Sequence, residues 1–119
     1  MADLKGKRYS IHVHHGLKWV DPADGNADLE VRFEDGSRYA ATFFTLNNLR
    51  LLFEKNEQTG ECRDGLYLWA SDMVIVRELT EASISETVAD LIAQGEFVRA
   101  FSSLSPDTQS PASQEIRSS

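Results

Sequence analysis

Apolar and polar residues alternate in two stretches near the start of the chain. Every second residue is apolar from Tyr9 to Val13, and again from Leu29 to Phe33. A period of two is typical of a strand with one buried face, so we predict a strand at each place. The residues between them are rich in Asp, Asn, Pro and Gly, which predicts a connecting loop.

The second strand is predicted to continue into a hairpin. A two-residue turn would leave Tyr39 on the charged face of the hairpin. A three-residue loop that ends at Gly36 in the left-handed region pairs Val31 with Tyr39 instead, and Leu29 with Ala41. This register gathers the apolar side chains on one face, so we predict the three-residue loop.

Two later stretches have the spacing of amphipathic helices. Thr45 is the predicted N-cap of the first helix, which we expect to end near Gly60. Ser83 and Glu86 fit a capping box at the start of the second helix, and Gly95 is placed to end it. The predicted buried stripes are Leu46, Leu49, Leu52 and Phe53 in the first helix, and Ile84, Val88, Leu91 and Ile92 in the second.

Two further strands are predicted between the helices, at 67–69 and 73–78, separated by a polar interruption. The predicted order is β-β-β-α-β-β-α. Because hairpins join antiparallel strands, we predict an α+β fold. It would have a mostly antiparallel sheet of about five strands, with both helices on one face. We expect one domain over residues 1–101, with 1–8 flexible. Residues 102–119 contain seven serines and two prolines and are predicted to form a disordered tail.

Composition narrows the classes of function. The chain has 119 residues, of which 41% are hydrophobic, with no apolar run long enough to span a membrane and no signal-peptide pattern. Cys62 is the single cysteine, so no internal disulfide is available and we expect a cytoplasmic protein. The net charge is −7, which argues against nucleic acid as a partner.

The charge is unevenly distributed along the chain. Residues 1–20 hold four basic residues and one acidic residue, whereas the rest holds eight basic and eighteen acidic residues, a net charge of −10. Such a body favours a partner protein with a basic surface. Acidity that only keeps the protein in solution explains the same numbers, and both interpretations remain open.

The segment IHVHHG, residues 11–16, contains all three histidines. On a strand, His12 and His14 point to the same side and His15 to the other. Two imidazoles at this spacing suit zinc or copper, although a complete site needs further ligands from a distant segment. The simpler interpretation is that the histidines lie on the wetter face of an ordinary strand.

No motif of an established catalytic site occurs in the chain, which favours a non-enzymatic protein. Cys62 has Glu61 and Asp64 nearby, and acidic neighbours disfavour a reactive thiolate. Trp19 has no core periodicity, so it is either an interface anchor or a cover for the open end of the sheet. The predicted interface residues are Trp19, Glu30, Arg32, Glu34 and Arg38.

The stretches ATFFTLNNLR, which begins at Ala41, and YLWASDMVIV, which begins at Tyr67, resemble those of short uncharacterised bacterial proteins. This resemblance implies no activity, cofactor or functional residue. It implies only that residues 41–101 belong to one domain unit, to which 1–28 and 102–119 are additions.

These observations favour a small acidic module that binds another protein, as an immunity or inhibitor protein does. The alternative is a small metal- or ligand-binding protein that uses the strand face of His12 and His14. A third hypothesis makes the exposed aromatic residues or the sheet edge a homodimer surface.

Overall fold

The computed structural model describes residues 4–104 and 113–116. The strands are Tyr9–His14 (β1), Asn26–Phe33 (β2), Arg38–Thr45 (β3), Met73–Val76 (β4), Ser102–Ser103 (β5) and Ser113–Ile116 (β6). The helical segments are Leu46–Thr59 (α1), Glu61–Gly65 (α2), Glu81–Ala93 (α3) and Phe97–Ala100 (α4). Within this part of the chain, none of the helices combines the length and the apolar character that crossing a bilayer requires.

The described strands form one mixed sheet of six, in the order β4-β3-β2-β1-β6, with β5 paired to the first half of β3. β4 runs parallel to β3, whereas the other pairs are antiparallel. The parallel pair arises because the chain returns to the same end of the sheet through α1 and α2. The predicted five-stranded, mostly antiparallel sheet is therefore wrong. Residues 67–69 do not form the predicted strand.

The predicted register of the β2–β3 hairpin is confirmed. Val31 pairs with Tyr39 and Leu29 pairs with Ala41. Gly36 has φ 90° and its N–H donates to the carbonyl of Phe33, as a three-residue loop requires. The apolar side chains of both strands consequently face the same layer.

The hydrophobic core lies between one face of the sheet and the segments α3 and α4. Phe97 and Phe101 stack with ring centroids 4.3 Å apart, and Phe97 meets Phe33 and Tyr39 edge to face. The most deeply buried aliphatic residues of this core are Ile11, Val13, Leu29, Val31, Leu79, Ile84 and Val88. The prediction that α3 buries a stripe is thus confirmed.

Helix α3 begins earlier than the capping-box prediction placed it. Its N-cap is Thr80, whose backbone is extended and whose hydroxyl accepts from the N–H of Ser83 at 3.1 Å. Ser83 therefore lies inside the first turn, and its predicted capping role is wrong. Gly95 has φ 74° directly after the C-cap Gln94 and ends the helix as predicted.

Helix α1 has the predicted caps but does not have the predicted packing. The Thr45 hydroxyl accepts from the N–H of Asn48, and Gly60 is left-handed at φ 85°. Its apolar stripe, however, does not join the core, and Leu46 is 68% exposed. The helix packs on α2 instead, where Gly65 lies so close that an added Cβ would be 2.8 Å from the carbonyl oxygen of Phe53. The prediction that both helices cover the same core face is wrong for α1.

Both ends of the described chain are held against the body. Leu4 is buried in the core, and Lys7 forms a 2.7 Å ion pair with Asp35, so the expected flexibility of residues 1–8 does not apply from residue 4 onward. Two segments of the predicted tail, β5 and β6, pair with the sheet, and Ile116 is buried against it. For residues 105–112 and 117–119 the prediction of disorder lies outside the described residues.

Candidate functional site

The sheet face that points away from α3 and α4 carries most of the polar residues named by the sequence. Alternation along each strand places them there, because neighbouring residues point to opposite faces. We call it the polar sheet face. It comprises Ser10, His12 and His14 of β1, Asp28, Glu30 and Arg32 of β2, and Arg38 and Thr42 of β3.

Glu30 is the centre of an ion-pair network on this face. Its carboxylate accepts from the Nε of Arg32 on the same strand. It also accepts from Arg38 on β3, at 3.0 Å from Nε and 2.8 Å from Nη2. The hydrogen bonds that Arg38 donates to Glu30 hold the pKa of Arg38 above its usual value. Because Glu30 is only 4% exposed, it is not the outward-facing interface residue that the sequence predicted.

Glu34 and Trp19, the two remaining predicted interface residues, are both exposed. Glu34 lies in the β2–β3 turn, apart from the Glu30 network. Trp19 is 87% exposed in the β1–β2 connection, with the Lys18 ammonium 5.1 Å from its ring centroid. Trp19 therefore does not cover the end of the sheet, and that alternative is wrong.

His12 is buried on the polar sheet face and has two polar neighbours. Its Nε2 lies 2.8 Å from Ser10 Oγ and 4.0 Å from a carboxylate oxygen of Glu115 on β6. Burial lowers the pKa of His12 and Arg32 lowers it further, while Glu115 and Glu30 act in the opposite direction. The imidazole is thus held preferentially in its neutral form.

His14 has a different carboxylate neighbour. Its Nδ1 lies 4.0 Å from Asp28 Oδ2, while the other oxygen of Asp28 accepts from the hydroxyl of Thr42 at 2.7 Å. Among residues 4–104 and 113–116, no three His, Cys, Asp or Glu side chains are grouped closely enough to hold a metal ion. Zinc or copper binding by His12 and His14 remains a hypothesis from the sequence.

A shallow depression of about 260 Å³ lies on the polar sheet face beside His14. Its polar lining includes Asp28, Thr42 and Asp72, and Leu104 closes one side. Small-molecule sites typically measure roughly 300–1,000 Å³ and enclose most of the ligand. The depression places an imidazole near carboxylates but is small and open, and His12 does not line it.

A second surface consists of large apolar side chains that are exposed to solvent. We call it the α1–β4 apolar surface. It comprises Leu46 and Phe53 of α1, Leu66, Tyr67 and Trp69 of the connection that follows α2, and Ile75 of β4. Trp69 is 72% exposed and Leu66 is 68% exposed, although residues of these types are usually buried.

The elements that carry this surface are neighbours in the fold. β3 pairs with β4 through Phe44 and Ile75 and continues directly into α1 at Leu46. Further along α1, Gly65 lies against the backbone of Phe53 and Glu57 and leads into Leu66. The sequence prediction missed this surface because it interpreted the apolar stripe of α1 as buried and residues 67–69 as a strand.

The turn that connects α1 to this surface is conformationally unusual. Cys62, Arg63 and Asp64 have φ values of 50°, 51° and 57°, a left-handed turn that costs each side chain steric energy. The free thiol of Cys62 is partly buried in this turn. The turn directs the chain back along α1, because Gly65 lies against the backbone of Phe53 and Glu57, and onward to Leu66.

Comparisons with family models, with curated proteins and with solved structures find no match to this chain. The resemblance of the stretches that begin at Ala41 and Tyr67 to short bacterial proteins therefore stays a prediction.

Proposed function

We propose that this protein is a binding module that docks on another protein through the α1–β4 apolar surface. The observation that carries the proposal is the exposure of six large apolar side chains on adjoining elements. Large exposed apolar side chains on neighbouring elements favour an interaction site, and aromatic anchors contribute strongly to protein interfaces. Trp69 and Tyr67 are the anchors that we expect to contribute most.

The packing of α1 supports the proposal. An amphipathic helix normally buries its apolar stripe against its own core. In α1 the two ends are capped by Thr45 and Gly60, so the helix is well defined, yet Leu46 and Phe53 remain accessible. A helix with an open apolar face beside an exposed tryptophan has the composition of an interface core.

The charge of the chain supports a partner with a basic surface. Residues 46–78 hold four basic and six acidic side chains around the apolar positions, and the whole chain carries −7. Opposite charge on the partner would accelerate association, and salt would weaken this contribution. An immunity or inhibitor protein that binds a basic enzyme would have these properties.

Two matched tryptophan variants test this proposal. Full-length wild type, Trp69→Ser and Trp19→Ser are immobilised, and the proteins captured from the source cell are quantified by mass spectrometry. Both tryptophans are exposed, so neither substitution should disturb the fold. We expect one partner to be captured by wild type and Trp19→Ser, and about 30-fold weaker binding by Trp69→Ser, since an interface anchor contributes about 2 kcal/mol.

The captured partner is then titrated at low and high ionic strength. We expect the association rate to be lower at high salt. The part of the affinity that comes from apolar contacts should remain at high salt. Equal capture by wild type and Trp69→Ser would contradict the proposal. If only Trp19→Ser lost capture of the partner, the interface would lie at the β1–β2 connection instead. Sedimentation of the purified protein tests self-association, and a dimer that Trp69→Ser abolishes would make the partner a second copy.

A further inference from the structure

The edge of the sheet opposite β4 is occupied by β6, a segment from the end of the chain. β6 pairs with β1 in antiparallel register, with Ile116 opposite Ile11 and Glu115 opposite His12. Ile116 is 3% exposed and belongs to the hydrophobic core. Without β6, the hydrogen-bonding edge of β1 and the space beside Ile11 would be open to solvent.

β6 is a short strand with one large apolar residue. It has four residues, SQEI, of which only Ile116 is a large apolar residue. It is separated from β5 by residues 104–112, whose only large apolar member is Leu104. β5 pairs with β3, so the two ends of this connection belong to different strands of the sheet. For a short strand with one buried aliphatic side chain, the free energy gained by burial and pairing only narrowly exceeds the entropy cost of ordering the segment.

The groove beside β1 would recognise a particular kind of peptide. Main-chain groups of β1 would pair with any extended segment, and the pocket beside Ile11 would accept an aliphatic side chain. Ser10 and His12 lie where a carboxylate in the preceding position arrives, as the 4.0 Å distance from His12 Nε2 to Glu115 shows. The favoured occupant is an extended peptide with an acidic residue followed by an aliphatic residue.

We propose that the edge of β1 is a strand-binding groove that residues 113–116 occupy in the free protein. An extended acidic–aliphatic segment of a partner protein displaces them and adds a strand in their place. The groove lies at the opposite edge of the sheet from the α1–β4 apolar surface, and the proposal does not depend on that surface.

A labelled peptide with the sequence of residues 112–117, ASQEIR, tests the groove in the full-length protein. Fluorescence anisotropy compares its binding to wild type and to Ile116→Asp. In this variant we expect residues 113–116 to leave the groove beside β1, because aspartate does not fit the apolar position of Ile116. We expect at least tenfold tighter binding to the variant, because the tethered segment of wild type competes at an effective concentration in the millimolar range. A control peptide with Asp in place of the isoleucine should bind neither protein.

Failure of folded Ile116→Asp to bind the peptide, or equal affinity for both proteins, would overturn the proposal. Hydrogen exchange of wild type gives a second readout if the variant does not fold. Amides of residues 113–116 should exchange at least about 100-fold faster than those of Leu29 and Val31, because the segment opens locally. Equal rates would overturn it, as would a wild-type dimer that Ile116→Asp abolishes, since the segment would then belong to a second copy.

Discussion

Charged and polar side chains on the polar sheet face are largely satisfied by one another. Glu30 receives hydrogen bonds from Arg32 and Arg38, and Asp28 receives one from Thr42. No buried side-chain nitrogen or oxygen among the described residues is left without a hydrogen-bond partner. These hydrogen bonds stabilise the sheet, because buried polar groups without partners would cost free energy.

His12 gives the protein a predictable dependence on pH. Because burial lowers its pKa in the folded state, the unfolded chain binds a proton more readily as pH falls through about 6.5. The free energy of unfolding should therefore decrease as pH falls from 7.5 to 5.5. We expect His12→Gln to reduce this slope, measured by urea unfolding at each pH.

The exposed His15 provides the control for the pH experiment. His15→Gln removes an exposed imidazole and keeps the buried one, so the comparison with His12→Gln isolates the contribution of the buried histidine. The ion pair with Lys7, which holds the pKa of Asp35 well below its usual range, contributes stability that is lost only below about pH 4. An unchanged slope in His12→Gln would show that His12 is not the group responsible.

Gly25 is a residue at which steric crowding excludes a side chain. An added Cβ would lie 2.5 Å from Val20 Cγ1 and 2.9 Å from the carbonyl oxygen of Asp21. We expect Gly25→Ala to lower the free energy of unfolding by about 1–3 kcal/mol, as overpacking does. Urea unfolding measures the loss, with the exposed substitution Ala23→Ser as the control. A stability equal to wild type would mean that the β1–β2 connection rearranges without cost.

At the level of single elements, two substitutions at the start of α3 distinguish the observed N-cap, Thr80, from the predicted one, Ser83. Thr80→Ala removes the hydroxyl that accepts from the N–H of Ser83, so we expect a loss of about 1 kcal/mol. Ser83→Ala removes a hydroxyl within the first turn and should cost less than about 0.5 kcal/mol. Thermal or urea unfolding measures the loss of stability in each variant. A larger loss in Ser83→Ala than in Thr80→Ala would support the predicted capping box at Ser83.

The local elements were predictable wherever one face of an element had to be buried. The Val31–Tyr39 register follows from keeping apolar side chains together, and the caps Thr45 and Gly60 follow from local hydrogen bonding and backbone conformation. Periodicity identifies an apolar face but does not show which part of the structure that face contacts. The stripe of α1 that includes Leu46 has the same pattern whether it faces the core or a partner.

Strand direction and edge pairing were not predictable for a related reason. The pattern of β4 marks it as a strand but does not indicate that it lies parallel to β3. Ile116 is one aliphatic residue in a serine-rich tail, and its burial depends on an open β1 edge that is distant in sequence. The candidate site was missed because residues 67–69 were interpreted as a strand and the apolar stripe of α1 as buried.

At the scale of the whole molecule, the protein is longer than a compact domain of its size. Its extents are 45 × 28 × 25 Å and its radius of gyration is 15.0 Å, against about 13.5 Å for a compact domain of this length. Six large apolar side chains remain outside the core on α1, the connection after α2, and β4. The core of the protein is built mainly by β1, β2, β3, α3 and α4, and we propose that the α1–β4 apolar surface binds a partner.

The triple variant Leu66→Ser/Trp69→Ser/Ile75→Thr tests this account most directly, through its free energy of unfolding in urea. The three side chains are half or more exposed, and threonine keeps the strand preference of β4. We expect a free energy of unfolding within about 1 kcal/mol of wild type, because substitutions at exposed positions change stability little. A loss of several kcal/mol would show that these residues hold the fold together and would contradict a surface kept open for a partner.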